Sequence, residues 1–394
     1  MPRSRTTLAA AALAAVLTVP ALAQTTPRYA VTPNLDSNNV SILDTVTHTE
    51  VARVRVGTRP WEVAMSPDGR FAYVGEDGTS IAINEINLST RRRTRRVVLP
   101  TQNFITELEV SPDGRWLATA DIYHGRVHLV DAATFAPRWM IELCQPCSQQ
   151  FSVVQVHFSN NSQLLYVAVP VAQKLVVIDI VAGTVVKTIP VPLSTGPVTD
   201  IRIVDGDDSR VYVVRSGGSS VYEVDVVNGI VQALPLQQGT VDDLEPLPNS
   251  RLATSCLAYG GTAVDALEVL DVSSQTSTLA TPASESLRGL AYNPSRNEVW
   301  GICHGFAGFC VPYNIDVFDA TTLTRQAVLT GPDAIWAGVA GGFTPSGGFY
   351  YQPLTNNRVL VINTATRAIV TQIQVGQNPR GVYMQGDARP KELQ

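Results

Sequence analysis

The chain is built from short runs in which apolar and polar residues alternate. Runs such as VARVRVG, VVKTIPV and VTQIQVG alternate over five to seven residues and are rich in Val, Ile and Thr. Turn-forming residues interrupt the pattern every 8 to 12 residues. A period of two with frequent turns predicts β-strands, and the pattern indicates no amphipathic helix after the first 23 residues.

One strand pattern recurs eight times: an apolar run that ends in Asp or Asn and leads into a small polar turn. The recurring residues are Asp44, Asn87, Asp131, Asp179, Asp225, Asp271, Asp319 and Asn363. Successive copies are 43, 44, 48, 46, 46, 48 and 44 residues apart. A nearly constant period of this length is the signature of a repeat architecture.

Each repeat predicts four antiparallel strands. The first ends in a tight turn, S-P-D-G at residues 66–69 and 111–114, whose glycine suits a positive φ. A second strand follows, then the strand that ends in Asp or Asn, whose side chain can accept N–H groups of the next turn. An alternating strand completes the unit. Such a unit describes the blade of a β-propeller, so we predict an all-β fold with one propeller.

The two ends of the chain predict how the ring closes. The mature chain enters at RYAVT, in the second strand of a unit, and a surplus first strand follows the eighth unit at residues 381–385. Pairing these ends would complete one blade and remove the exposed sheet edges. We therefore expect a propeller over residues 24–385 and a flexible tail at 386–394. The count gives eight blades, or seven if the unit at 241–282 or 287–330 is a distorted insertion.

These repeats resemble those of the YVTN-repeat β-propeller family. The match is nearly complete over residues 38–77, NNVSILDTVTHTEVARVRVGTRPWEVAMSPDGRFAYVGED, and good over 164–191 and 349–385. It is weaker between 241 and 330. The resemblance implies a propeller, but no shared catalytic set, because members include binding proteins, subunits of redox enzymes and relatives of propeller lactonases. The fold alone therefore does not identify the function of this chain.

The first 23 residues have the features of a secretory signal peptide. MPRSR is followed by the apolar run LAAAALAAVLTV and by an A-x-A cleavage site that ends at Ala23. The run is too short to span a bilayer, so we expect a periplasmic or secreted monomer without a transmembrane anchor. The full chain has a net charge of −5, and loss of Arg3 and Arg5 makes it more acidic. This balance argues against a nucleic-acid partner.

Candidate ligand-binding residues are those that the repeat pattern places around one end of the channel. They are Trp61, Glu62, Glu107, Tyr123, His124, Asp200, Arg215, Asp242, Arg288, His304, Trp336 and Arg380. Carboxylates and arginines around a channel could hold a polar ligand or a cation. The alternative is that a water-filled channel tolerates charged groups at little cost. Two loop histidines without fixed spacing do not predict a metal site, and no cofactor is predicted.

The five cysteines of an exported chain point to disulfides. Cys303 and Cys310 bracket a glycine-rich loop, and a bridge between them would hold that loop together. Cys144 and Cys147 form CQPC between two predicted strands, which favours a local disulfide over redox activity or half of a zinc site.

Three functions are compatible with this pattern. The first is a non-enzymatic scaffold that binds a protein, a glycan or a small polar ligand at the channel mouth. The second is a hydrolase of lactonase type, with Glu62 or Glu107 as base, His304 as acid and Arg288 as clamp for the anionic product. The third is a periplasmic partner in tetrapyrrole or redox chemistry. A basic run, RRRTRR at residues 91–96, could in addition meet an anionic partner or form a solvated hairpin.

Overall fold

The computed structural model describes most of the chain from Arg28 to Gly386. The described ranges are 28–78, 81–100, 105–121, 123–144, 155–193, 198–202, 206–215, 218–237, 241–256, 266–280, 287–303, 313–331 and 341–386. The predicted signal peptide, 1–23, lies outside them, as does nearly all of the predicted tail. No helix in these ranges is long and apolar enough to cross a membrane.

The strands form eight four-stranded antiparallel sheets, which we number as blades in chain order. Blade 1 contains β1 (Tyr29–Asn34), β2 (Asn39–Asp44), β3 (Thr49–Arg55) and the last strand, β32 (Tyr383–Met384). Blade 2 contains β4 (Pro60–Met65), β5 (Phe71–Glu76), β6 (Ala82–Asn87) and β7 (Arg92–Val98). Blade 3 contains β8 (Ile105–Val110), β9 (Trp116–Asp121), β10 (Arg126–Asp131) and β11 (Ala136–Glu142). Blade 4 contains β12 (Gln155–Phe158), β13 (Leu164–Val169), β14 (Lys174–Asp179) and β15 (Thr184–Pro190), with a 3₁₀ turn at Pro170–Ala172.

The second half of the ring follows the same plan. Blade 5 contains β16 (Val198–Arg202), β17 (Arg210–Arg215), β18 (Ser220–Asp225) and β19 (Ile230–Pro235). Blade 6 contains β20 (Val241–Leu247), β21 (Arg251–Cys256), β22 (Ala266–Asp271) and β23 (Thr276–Leu279). Blade 7 contains β24 (Leu287–Asn293), β25 (Glu298–Cys303), β26 (Tyr313–Asp319) and β27 (Arg325–Gly331). Blade 8 contains β28 (Gly342–Phe343), β29 (Phe349–Leu354), β30 (Arg358–Asn363) and β31 (Ile369–Gln374). The predicted propeller is confirmed with eight blades, not seven.

The recurring Asp or Asn has the role that the sequence predicts. In every blade it is the last residue of the third strand counted outward from the channel, which is β2 in blade 1. Its side-chain Oδ1 accepts a backbone N–H two or three residues later. At Asp44, for example, Oδ1 lies 2.9 Å from the N of Val46. The side chain thus satisfies donors that the turn leaves without a strand partner, which explains the Asp or Asn at each repeat.

The turn after the first strand also behaves as predicted. The N–H of Gly69 donates to the carbonyl of Ser66 at 2.8 Å, and Gly69 has a φ of 68°. Gly114 repeats this geometry with a φ of 73°. In blade 4 the same turn has the sequence S-N-N-S. Ser162 stands at the glycine position there and has a φ of 59°. The backbone shape, rather than the glycine, is therefore what the repeats share.

The core lies between the blades, where the faces of neighbouring sheets pack together. Val40 and Ile42 of blade 1, for example, pack with Val63 and Val74 of blade 2. Equivalent apolar clusters join the other neighbouring blades among the described residues. A single blade would leave both of its apolar faces in water, so the closed ring is the smallest unit that buries all of them.

The ring closes through the C-terminal strand, as predicted. β32 pairs antiparallel with β1, with Ala30 opposite Met384 and Val31 opposite Tyr383. The side-chain oxygen of Gln385 accepts the N–H groups of Arg28 and Tyr29 at 2.6 and 2.9 Å. The paired strand is shorter than the predicted segment 381–385, because the residues before Tyr383 make the connection from blade 8.

Candidate functional site

Two kinds of loop lie on one face of the ring, which we call the upper face. These are the loops from each outer strand to the next inner strand and the loops between second and third strands. The sequence analysis places its candidate ligand-binding residues on this face. Loops of neighbouring blades bond to one another here: the N–H of Arg59 donates to Oδ1 of Asn38 at 2.9 Å, and Nδ2 of Asn378 donates to Asp36 at 3.0 Å. The face is therefore a connected surface and not a set of separate loops.

Trp61 and Arg380, both predicted from the sequence, meet where blades 1 and 2 join. The guanidinium carbon of Arg380 lies 4.9 Å from the centre of the Trp61 ring, and both side chains are half-buried. The backbone N–H of Arg380 donates to the carbonyl of Pro33 at 2.8 Å, which fixes the residue against β1. A guanidinium over an indole face is an attractive cation–π pair.

Two acids and a second arginine surround this pair. Nε of Arg59 lies 3.4 Å from Oδ2 of Asp77. Burial raises the pKa of Asp77, although the neighbouring Arg59 opposes the shift. Burial lowers the pKa of Arg380; the charge of Asp36 raises it, and the charge of Arg59 lowers it again. We call Arg59, Trp61 and Arg380, with Asp36 and Asp77, the junction site.

Glu62, the residue after Trp61, is buried in the protein. Its side chain accepts a hydrogen bond from the Tyr383 hydroxyl at 2.9 Å, and the residue is 1% exposed. The other carboxyl oxygen, Oε1, is buried without a hydrogen-bond partner among the described residues. Burial raises the pKa of Glu62 well above its usual value, which favours the protonated form of this carboxyl group.

Other polar side chains of the inner strands bridge to the next blade. Carboxylate oxygens accept hydrogen bonds from backbone N–H groups there: Glu109 from Phe158 at 3.0 Å, Asp243 from Leu290 at 2.8 Å and Glu245 from Tyr292 at 3.0 Å. The innermost strand of each blade has one edge whose backbone groups have no strand partner, and these bonds satisfy some of those N–H groups. Glu107, at 1% exposure, is buried in the same wall. Much of the polar ring around the channel is therefore structural.

Tyr123 and His124 lie together in the loop between β9 and β10. Their backbone N–H groups donate to Oδ1 of Asp121 at 3.1 and 3.2 Å. Nδ1 of His124 lies 2.8 Å from Oδ2 of the same carboxylate, and its side chain is 37% exposed. Asp121, which the sequence analysis did not select, thus fixes the imidazole ring and its tautomer.

The other predicted ligand-binding residues are only partly described. Arg215 is the half-buried last residue of β17. Three others belong to inner strands, but their side chains lie outside the described part: Asp200, Asp242 and Arg288. His304 and Trp336 lie wholly outside the described residues.

The predicted disulfides each have one cysteine in the described part. Cys144 lies just beyond β11, and Cys303 is the buried last residue of β25. Cys147 and Cys310 lie outside the described residues, so both bridges stay predictions. Over the described ranges, no group of three His, Cys, Asp or Glu side chains is placed to hold a metal ion.

Two residues of importance at the channel were not selected from the sequence. Tyr383 lies in the closing strand that the sequence predicts, and its position opposite Val31 shows that it belongs to an inner strand. Asp121 ends β9, and its place before Tyr123 and His124 is the pattern of a side chain that holds a turn. Both signals are visible in the sequence once the blade register is known.

Comparison with known structures supports the propeller fold. Dihydro-heme d1 dehydrogenase NirN in complex with DHE is similar with a TM-score of 0.75 and 18% identity, over 92% of this chain and 76% of that chain. Kuenenia stuttgartiensis hydrazine synthase is similar with a TM-score of 0.54 and 15% identity, over 75% of this chain and 97% of that chain. At these identities the likeness shows the fold alone. No family model and no curated protein matches the chain, so membership of the YVTN-repeat family stays a prediction.

Proposed function

We propose that the chain is an exported, non-enzymatic propeller that binds a ligand or partner at the mouth of its channel. The observation that carries this proposal is the contact between Trp61 and Arg380. Loops of two blades bring an indole and a guanidinium together at the upper ends of two inner strands. Aromatic and arginine side chains are enriched in recognition sites.

The burial of the candidate bases favours binding over hydrolysis. A general base must reach the proton that it removes and must be ionised to accept it. Glu62 and Glu107 are each 1% exposed, and burial raises the pKa of Glu62, which disfavours the ionised form that a base needs. His304 and the side chain of Arg288, the proposed acid and clamp, lie outside the described residues. The burial of both candidate bases is therefore what argues against a lactonase mechanism.

A thermal-shift screen on the purified chain tests the scaffold proposal. Sugars, metal ions and small acids are added one at a time, because any ligand of the native state raises the melting temperature by mass action. We expect at least one class to raise it in a concentration-dependent way. Turnover of any member of a lactone panel, lost in Glu62→Gln without a fall in melting temperature, would instead establish the hydrolase.

We infer a second candidate function, the binding of a tetrapyrrole. Two observations favour it: the fold neighbour in complex with DHE, and the environment of His124. Asp121 engages Nδ1 of His124 at 2.8 Å, which leaves Nε2 as the nitrogen that could ligate iron. A bound haem would supply redox chemistry, while Arg380 and Arg59 could attract its carboxylates.

Reconstitution with hemin tests this candidate. The purified chain is titrated with hemin, and the Soret band is followed in the wild type and in His124→Ala. His48→Gln is the matched control, because His48 bonds to the Tyr351 hydroxyl at 2.6 Å in a turn on the opposite face. We expect saturable binding with one equivalent and a shifted band in His124→Ala alone. Equal spectra for both variants would remove His124 as a ligand.

A further inference from the structure

The ring is closed by residues 379–385, which we call the closing segment. Its strand β32 pairs with β1 over two residues only, Tyr383 and Met384. The N–H of Gln385 adds one backbone bond, to the carbonyl of Tyr29 at 2.8 Å. A chain end held by such a short ladder is expected to open locally at a lower cost in free energy than unfolding of the whole ring.

Blade 2 meets the closing segment through Glu62 of β4. The Tyr383 hydroxyl donates to Oε2 of Glu62 at 2.9 Å, although the two residues lie 321 positions apart in the chain. On the side of blade 3, Gly75 of β5 lies next to both Glu62 and Ile105. Glu62 and Tyr383 are both buried, so the carboxyl group must take its hydrogen bonds mainly from the protein rather than from water.

The hydrogen bonding of Glu62 is incomplete. Oε1 is buried without a hydrogen-bond partner among the described residues, and no basic side chain is among the described contacts of the carboxyl group. A carboxylate accepts hydrogen bonds on both oxygens, and its burial without enough donors or a counter-charge is costly. Ionisation of Glu62 therefore opposes the closed arrangement, whereas the neutral carboxyl group costs much less.

Other ionisable groups lie near this contact. Burial raises the pKa of Tyr383 well above its usual value, and the charges of Glu62 and Glu107 raise it further, so the phenol keeps its proton where carboxyl groups ionise. The charged groups of the junction site lie around Trp61, and none of them is a described contact of Glu62. Glu62 and Glu107 are therefore the carboxyl groups here on which a change of pH can act.

We propose that Glu62 is a pH-sensitive switch of ring closure: its neutral form lets Tyr383 pack against blade 2, and its ionisation releases the closing segment. The closed ring binds the proton more tightly than the open ring, because burial raises the pKa of Glu62. Closure is thus strongest below about pH 4.3, the ordinary glutamate pKa, and weakens as pH rises through the range up to the raised pKa. Opening would also separate Arg380 from Trp61, and the switch itself does not depend on any ligand.

Hydrogen exchange measured by mass spectrometry between pH 5 and pH 8 tests the switch. The protection of the closing segment, relative to an unfolded chain at the same pH, is compared with that of residues 164–179 in blade 4. In the wild type we expect the closing segment to be the less protected of the two and to lose up to about tenfold in protection per pH unit. Glu62→Gln should remove this loss, and Glu62→Met, a second variant without a proton equilibrium, should do the same.

Glu107→Gln is the matched control, because Glu107 is an equally buried acid four residues before the same S-P-D-G turn in blade 3. This variant should still lose protection in the closing segment as pH rises. The switch is overturned if both segments of the wild type have equal protection at every pH, because the closing segment would then open only with the whole chain. A loss that persists in Glu62→Gln and Glu62→Met, or a wild-type protection that does not change with pH, overturns it as well.

Discussion

At the scale of single residues, charge and burial are the properties that the sequence leaves open. Glu62 and Glu107 occupy positions where the repeat pattern predicts a channel mouth, yet each is 1% exposed. The pattern of a strand gives the face on which a side chain lies, but exposure depends on how the next blade packs over it. Trp61 and Arg380 were predicted for the same face, and their contact depends on a bridge between distant ends of the chain.

The buried Glu62 predicts a particular dependence of stability on pH. An acid whose pKa is higher in the folded chain than in the unfolded chain binds more protons when folded. The free energy of unfolding should therefore fall as pH rises from about 4.3, the ordinary glutamate value, through the raised pKa of Glu62. Glu62→Gln keeps the shape and removes the proton equilibrium, so its gain in the free energy of unfolding over the wild type should be larger at pH 7.5 than at pH 5.

Urea unfolding between pH 5 and pH 8 measures this effect. The control is Glu50→Gln, because Glu50 lies near the surface and forms a 2.8 Å ion pair with Arg53. That variant should keep the pH slope of the wild type, whereas Glu62→Gln should flatten it. A wild-type slope that survives in Glu62→Gln would show that another group causes it.

At the scale of single strands, the basic run in β7 shows how an outer strand joins its neighbour. Arg95 forms an ion pair with Glu85 and donates to the carbonyls of Ala132 and Ala133 in blade 3, at 2.9 and 2.6 Å. Arg96 forms an ion pair with the buried Glu76 at 2.7 Å. The sequence left open whether this run meets an anionic partner or forms a solvated hairpin. Arg95 and Arg96 instead pair with carboxylates of β6 and β5 in the same blade, which a charge run alone does not reveal.

The place where each third strand ends could, in contrast, be predicted from the sequence, because the contacts that end the strand are local. Each third strand ends where an Asp or Asn side chain satisfies the turn, and the residues that do so are adjacent in sequence. The bonds of Arg95 to Ala132 and Ala133 join residues 37 and 38 positions apart, and a single sequence does not specify them. The difference between local and long-range causes therefore separates what was predicted from what was not.

Arg95→Met should weaken the protein far more than a matched change on the same strand. It leaves the Glu85 carboxylate, which is 3% exposed, without its charged partner and removes two bonds to blade 3. Loss of one member of such a pair costs about 3 kcal/mol. Arg92→Met, at an exposed position, should change the free energy of unfolding by less than about 0.5 kcal/mol. Guanidinium unfolding curves give both values, and similar losses would contradict the inter-blade role of Arg95.

At the scale of the whole molecule, the number of blades was predicted because backbone pairing tolerates degenerate sequence. The repeats at 241–282 and 287–330 match the family pattern weakly, yet each folds as a four-stranded blade. Blade 6 keeps the register of the others, with Arg251 opposite Asp271. Hydrogen bonds between strands do not depend on side-chain identity, so a faint repeat can keep the geometry as long as its faces remain apolar.

Deletion of residues 379–394 should open the ring. It removes the buried side chains of Val382, Tyr383 and Met384 and exposes the edge of β1. We expect the melting temperature to fall by about 10 °C or more, which corresponds to a loss of several kcal/mol. The exposed edge should also promote oligomers that size-exclusion chromatography detects.

The control for this deletion is a chain that lacks only residues 387–394, beyond the closing strand. It should melt like the full-length protein and elute as the same species. An equal fall in both truncated chains would mean that the closing strand is not what holds the ring together.

The pairing of β1 with β32 also has a consequence during protein synthesis. The backbone N–H of Tyr29 donates to the side chain of Gln385, which lies 356 residues later in the chain. At a translation rate of about 5 to 20 residues per second, the ribosome needs roughly 20 to 70 s to deliver that partner. Blade 1 must remain incomplete throughout this interval, with one backbone edge open. A cell that makes this protein therefore has to shield a nascent strand for longer than most small domains need to fold.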